Sequence, residues 1–129
     1  MAHDPSDLSP EILGFLAERH LATLTTLRTD GSPHVVPVGF AYDPTDRLVR
    51  IISADGSQKV RNAERNGRAA VSQVDGGRWL TLEGTVSVSR DADAVAAAEA
   101  AYAGRYQAPR ERTDRVAIEI RVDRVLGRA

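Results

Sequence analysis

A single lysine, Lys59, stands among seventeen basic residues, and Asn62 and Arg65 follow it at i+3 and i+6. On a helix this spacing keeps the three side chains close enough in angle to share a face. Just upstream, Gly56 allows a tight exit from a strand, and the Ser57 hydroxyl suits a helix N-cap. A helix start with free N–H groups, followed by cationic side chains, can cradle a phosphate. The alternative is a short basic surface helix that is simply solvated. The rest of the chain decides between them.

The elements that must position these residues are readable on both sides. Val49, Ile51 and Ile52 give the β-branched run of a strand leading into the turn, and Ala69–Val74 gives a second strand leaving the helix. Before them, Ser9-Pro10-Glu11 is a helix start, with Ile12, Phe15, Leu16 and Arg19 at helical spacing. Residues 22–28 form a strand, Asp30-Gly31 a hairpin turn, and residues 33–42 a returning strand. In that return His34, Val36, Val38 and Phe40 share one face, and Val35, Pro37, Gly39 and Ala41 the other. Pro37 and Gly39 suit an edge, a bulge or the close approach of something flat, because proline cannot donate to a ladder.

Residues 78–89 alternate, with Leu80, Leu82, Val86 and Val88 on one side and Trp79, Thr81, Glu83 and Thr85 on the other. Residues 91–107 are the clearest helix, with Val95, Tyr102 and Tyr106 along one stripe, followed by a charged loop over 108–114. Residues 115–126 close the chain as a strand, with Val116, Ile118, Ile120 and Val122 inward. The expectation is a mainly β, six-stranded antiparallel split barrel with helices, in one domain over 1–129 whose residues 1–8 are only loosely ordered.

Composition limits the functions available. Of 129 residues, 42% are hydrophobic and the net charge is -1, so no global field draws the chain to nucleic acid or an anionic membrane. Six aromatics (one Trp, three Tyr, two Phe) and that charge argue against a single-strand nucleic-acid barrel, which needs stacking rings in a positive groove. The absence of cysteine removes thiolate nucleophiles, disulfides and Cys-ligated metals. The opening MAHDPSDLSP lacks the basic and apolar regions of a signal peptide, and no apolar run suffices to span a bilayer. The expected location is the cytoplasm.

The segments PHVVPVGFAYD, RIISADGSQKVRNAERNGRAAVSQVDG and RWLTLEGTVSV resemble the split β-barrel flavin and deazaflavin oxidoreductases, the superfamily of pyridoxamine 5'-phosphate oxidase. Within it the chain is most similar to the actinobacterial branch that uses coenzyme F420, and there to biliverdin-reducing members. The likeness runs from Glu18 to Gly127 through ERHLATLTTLR, SPHVV, GSQKVRNAER, SQVDGGRWLTLEG and DRVLG. It implies a homodimer with cofactor sites at the interface. A cofactor tail would lie against Gly56, Ser57, Gln58, Lys59, Asn62 and Arg65. A flat ring would lie along His34, Val35, Val36 and Pro37 and along Ile52, Ser53 and Ala54. The partner subunit would close the site with Gln73, Val74, Arg78 and Trp79. The reaction implied is hydride transfer from reduced F420 to an unsaturated acceptor, a tetrapyrrole such as biliverdin first among them. Relatives often carry a few residues past the position of Ala129, an extension expected to bear on acceptor choice.

Several residues carry two readings. Arg78 could steer the propionates of a tetrapyrrole or be an ordinary strand-end charge. His34 could be a polar group beside the ring or a satisfied strand histidine. Trp79 could stack on a ligand or fill a dimer interface. Tyr102 and Tyr106 read as packing residues. With three histidines and no third ligand at metal spacing, no metal site is expected, and no side chain stands out as catalytic acid or base. Two other functions keep the same fold: an FMN-dependent oxidase of the pyridoxamine phosphate type, and a protein that sequesters a flavin-like or haem-like ligand without turnover.

Overall fold

The computed structural model describes all of residues 1–129. In chain order it comprises β1 (Ala2–His3), α1 (Pro10–Ala17), β2 (Ala22–Leu27), β3 (Pro33–Val38), β4 (Ala41–Asp43) and β5 (Leu48–Ala54). Then follow α2 (Gln58–Ala63), β6 (Arg68–Asp75), β7 (Arg78–Ser89), α3 (Ala92–Arg105) and β8 (Arg115–Arg128). The helix starts follow capping rules. Ser9, Ser57 and Asp91 each accept a backbone N–H three residues on, at 3.2, 3.4 and 3.1 Å.

The strands form one antiparallel sheet in the order β3-β2-β6-β7-β8-β5-β4, and β1 pairs with the far end of β8. The order is not that of the chain, because β2 pairs with β6 and β5 with β8. The expected six strands are all present, and two short ones are added. Ala2 and His3 pair with Leu126 and Val125, in the segment expected to be only loosely ordered. The expected strand over 33–42 breaks instead at Gly39-Phe40, and Ala41–Asp43 joins the edge of β5.

That break closes the architecture. β3 and β4 are the two ends of the sheet yet are consecutive in the chain, so the sheet must curl until its ends lie near each other. They do not pair, and the barrel stays split there. The crossing is held by Tyr106, whose hydroxyl accepts from Phe40 N–H (3.2 Å) and donates to the His20 carbonyl (2.6 Å). A Cβ at Gly39 would meet the Tyr102 and Tyr106 rings at 3.0 and 3.1 Å, so glycine lets them sit on the backbone without shifting.

The interior is a single cluster that includes Leu24, Phe40, Val49, Ile51, Val71, Leu80, Leu82, Ile118 and Ile120, with Ile12, Phe15 and Leu16 of α1 packed into it. Burying each such side chain contributes roughly 1.5–3 kcal/mol. The alternation expected for β7 and the first half of β8 is the one observed. A bulge between Glu83 and Gly84 then leaves Asp123 of β8 unmatched, so both Asp123 and Arg124 face out and Val125 turns inward. A Cβ at Gly84 would lie 1.8 Å from the Arg121 carbonyl oxygen, which makes glycine obligatory at the bulge. No helix is long and apolar enough to cross a membrane.

The opposite face of β2, β3, β6 and β7 carries no helix. Thr25 lies between Val35 and Ala70, and Val74 lies beside Trp79, so these residues form an uncharged strip across the strands, with Arg68 and Glu83 at one end of it. Leu27, Val35 and Val74 on it are 44%, 56% and 68% exposed.

Candidate functional site

The split opens into a cavity of about 590 Å³, a size typical of small-molecule sites. Its barrel wall is the end of β3 (Pro37, Val38, Gly39), Ile52 of β5 and Lys59 of α2. Its other wall is Tyr102 of α3, the loop over 107–112 and Arg115 at the root of β8. Pro37 belongs both to the cavity and to the bare face of the sheet, so the cavity opens beside that face.

Lys59 is the singular group. Burial pulls its ammonium below the ordinary lysine pKa, and its side chain makes no hydrogen bond or ion pair. A half-buried cation without a counter-ion costs free energy that a bound anion would offset. The Nδ1 of His34 is also buried without a hydrogen-bond partner. Both atoms lie on elements that border the split.

The three residues at i, i+3 and i+6 do not converge. Each helical residue advances about 100°, which carries Arg65 some 120° round from Lys59. Helix α2 ends at Ala63, before Arg65 is reached. Asn62 is 4% exposed and points into the protein, donating to Thr26 Oγ1 at 3.0 Å and accepting from Gln58 Nε2 at 2.8 Å. Arg65 lies against the Leu27 carbonyl and lines a separate hollow of about 230 Å³ with Arg28 and Arg68. Ser57 Oγ caps α2 and shares a hydrogen bond with Ser53 Oγ at 3.1 Å, so both hydroxyls are occupied in shaping the turn at Gly56. Gly56 has φ of +82°, a backbone conformation that glycine permits.

The expected closing segment over 73–79 divides as well. Gln73 is 1% exposed, donating to the Phe15 carbonyl (3.1 Å) and accepting from Arg105 (2.7 Å). Val74 and Trp79 lie on the bare face. Arg78 is held on two sides: it grips both Glu18 oxygens at 2.9 Å, reaches Asp75 at 2.7 Å, and lies 4.3 Å over the Phe15 ring. The Arg78 hydrogen bonds, followed by that of His20, hold the Glu18 carboxyl down at about 2. Glu18, His20 and Asp75 place their ligand atoms within 4.8 Å of one another, but Arg78 occupies both carboxylates. Of the expected ring wall, Pro37 and Ile52 line the cavity; Val35 lies on the bare face, and Val36 packs against the core. Ala54 is paired with Arg115.

Sequence reasoning missed the opposing wall. The loop over 107–112 reads as generic charge, and Tyr102 as packing. The available signal was Arg110, Arg112 and Arg115 placed within six residues of one another, just after a helix.

Comparison with known proteins adds the following. The family model for pyridoxamine 5'-phosphate oxidase matches residues 8–129. The chain is 55% identical, over all of its length and 94% of the relative's, to the F420H(2)-dependent biliverdin reductase of Mycobacterium tuberculosis (strain CDC 1551 / Oshkosh). Among solved structures, an F420 reductase superposes with a TM-score of 0.72 at 28% identity, covering 88% of this chain and 94% of that one. A conserved hypothetical protein of Mycobacterium tuberculosis superposes at 0.79 and 23% identity, over 94% and 84% of the two chains.

Proposed function

The chain belongs to the pyridoxamine 5'-phosphate oxidase family, and on that premise we propose that it is an F420H2-dependent reductase whose acceptor is biliverdin. The relative that is 55% identical over the whole chain supports both the cofactor and the acceptor. The structural observation that carries the reading is Lys59, a half-buried cation without a counter-ion in a cavity walled by Pro37 and Ile52. Those features suit a cofactor with a flat ring and an anionic tail. Reduced F420, when bound, supplies a hydride.

The chain's own residues bind and orient. Lys59 holds the anionic part, and the flat edge of Pro37 and Ile52 seats the ring against the acceptor. Arg105 and Tyr106 keep that wall in place. The Arg105 guanidinium donates to the Phe40 carbonyl (2.6 Å) and the Glu18 carbonyl (2.8 Å), pinning the chain where it leaves β3. No side chain is assigned as catalytic acid or base, and solvent can supply the proton that accompanies the hydride. Arg78 is held by Glu18 and Asp75 away from this cavity, which it does not line.

The working unit is a homodimer in the cytoplasm, made of single-domain subunits. The bare face of β2, β3, β6 and β7 supports the dimer, because its exposed Leu27, Val35 and Val74 would be covered and Pro37 would bring the cavity to the interface. The deciding experiment is a fluorescence titration of the purified protein with F420 beside FMN, followed by biliverdin turnover with reduced F420. Tight F420 binding, weak FMN binding and conversion of biliverdin are expected, and sedimentation at micromolar concentration should give a dimer. A preference for FMN would move the protein to the oxidase branch. Binding of biliverdin without turnover would make it a sequestering protein.

A further inference from the structure

The cavity has a second cation whose charge nothing in the chain answers. Three arginines line the loop wall, and two of them are committed. Arg115 is 8% exposed, bonded to Glu99 Oε2 at 2.8 Å and to the Arg110 carbonyl at 2.7 Å. Arg112 is chelated by both oxygens of Asp114, at 2.9 and 3.0 Å. Arg110 alone among the three has no carboxylate partner, and its side chain makes no hydrogen bond. Its backbone is nonetheless fixed, because Arg115 grips its carbonyl from the side of the barrel. The result is an uncommitted guanidinium on a backbone held at the cavity, which Lys59 also lines.

We propose that Arg110 is the subsite that binds a carboxylate of the acceptor, with the neighbouring Glu111 limiting how tightly it does so. The inference rests on the reductase reading above and names its acceptor-binding residue. Biliverdin carries two propionate groups on a flat apolar skeleton, and a guanidinium matches a carboxylate with two parallel hydrogen bonds. Lys59 comes from α2 and Arg110 from the loop after α3, so the two cations receive two different anions, the cofactor's on the barrel side and the acceptor's on the loop side. Pro109 and Tyr102 on the same wall offer the apolar contact that the tetrapyrrole skeleton needs. Glu111 lines the same mouth without an ion-pair partner, so it repels an incoming propionate and its neutralisation tightens binding. Arg78, the arginine that sequence reasoning offered for this role, is locked by Glu18 and Asp75 and lines no part of this cavity.

The test compares biliverdin with its dimethyl ester, by equilibrium binding from the change in visible absorbance and by turnover with reduced F420. The wild-type protein should bind the free acid roughly tenfold more tightly than the ester, the worth of one exposed charge-assisted contact. Arg110→Gln should weaken the free acid to the value for the ester, and Glu111→Gln should tighten the free acid, leave the ester unchanged and so enlarge the preference between them. F420 affinity, read separately by fluorescence, should stay the same in both variants. Equal weakening of acid and ester by Arg110→Gln, a loss of F420 affinity, or no effect on the acid would each overturn the assignment. Biliverdin bound through Arg110 but never reduced would overturn the reductase reading and leave the subsite standing. Absence of any biliverdin binding would overturn both.

Discussion

Arg78 and Lys59 are both basic residues beside a turn, and a reader of the sequence could assign either to ligand binding. The structure separates them. Around Arg78 every charge is answered: both Glu18 oxygens, Asp75 and the Phe15 ring face meet the guanidinium. Around Lys59 none is, and the ammonium lines a cavity while burial lowers its pKa. A cation that has found its partners ties α1 to the β6–β7 turn. One left without them inside a hollow is the one that a bound anion would stabilise. The same contrast recurs within the cavity, where Arg115 and Arg112 are paired and Arg110 is not.

The contrast is broken or sharpened most strongly at Lys59. Lys59→Ala should weaken F420 by about 30-fold, since a charge-assisted contact to an anion is worth about 2 kcal/mol. The melting temperature should hold or rise slightly, because the ammonium has no partner to lose in the free protein. Fluorescence titration reads the first effect and thermal unfolding the second. Unchanged affinity with lowered stability would make Lys59 a structural residue and erase the distinction from Arg78.

Next in size is Asn62, which the spacing placed beside Lys59 and the fold placed inside. Asn62→Ala should cost about 1–3 kcal/mol of stability in urea unfolding, because it leaves buried Thr26 Oγ1 without its donor. F420 affinity should change by less than about twofold if α2 keeps its position against β2. A thirtyfold loss of affinity without loss of stability would return Asn62 to the cofactor site.

That pair shows what was legible. Strand phases, caps and hairpins could be read because each depends on residues a few positions apart: Ser57 with Val60, and the alternation of Leu80 and Leu82. The direction in which an i, i+3 partner points depends on which side of a two-turn helix the barrel occupies, and no local pattern records that. The break at Gly39 was half visible, since Pro37 and Gly39 already weakened the strand. Its cause lay 66 residues away, in the hydroxyl of Tyr106. The phase slip of β8 at Asp123 depends on Gly84 of another strand in the same way. The loop wall was missed because Arg110, Arg112 and Arg115 differ only in which acid each one meets, and that is set by folding.

The smallest expected effect lies on the satisfied side of the comparison. The folded-state pKa of Glu18 is depressed to about 2 from an ordinary 4.5, first by the Arg78 hydrogen bonds and then by that of His20. A depressed carboxylate stabilises the fold fully above its unfolded value, and that contribution is lost as pH falls through the folded value. The loss therefore occurs between about pH 4.5 and pH 2, far below the pH at which F420 binding would be measured. Glu18 and Arg78 are exposed, so salt screens the pair and the effect is modest. Melting curves of the wild type and Glu18→Gln should differ near neutral pH, draw together over that acid window, and draw together sooner at high salt. F420 affinity should be the same in both proteins. A gap between the curves that persists at pH 2 would mean that Glu18 acts through packing rather than charge, and a change in F420 affinity would mean that the two regions are coupled.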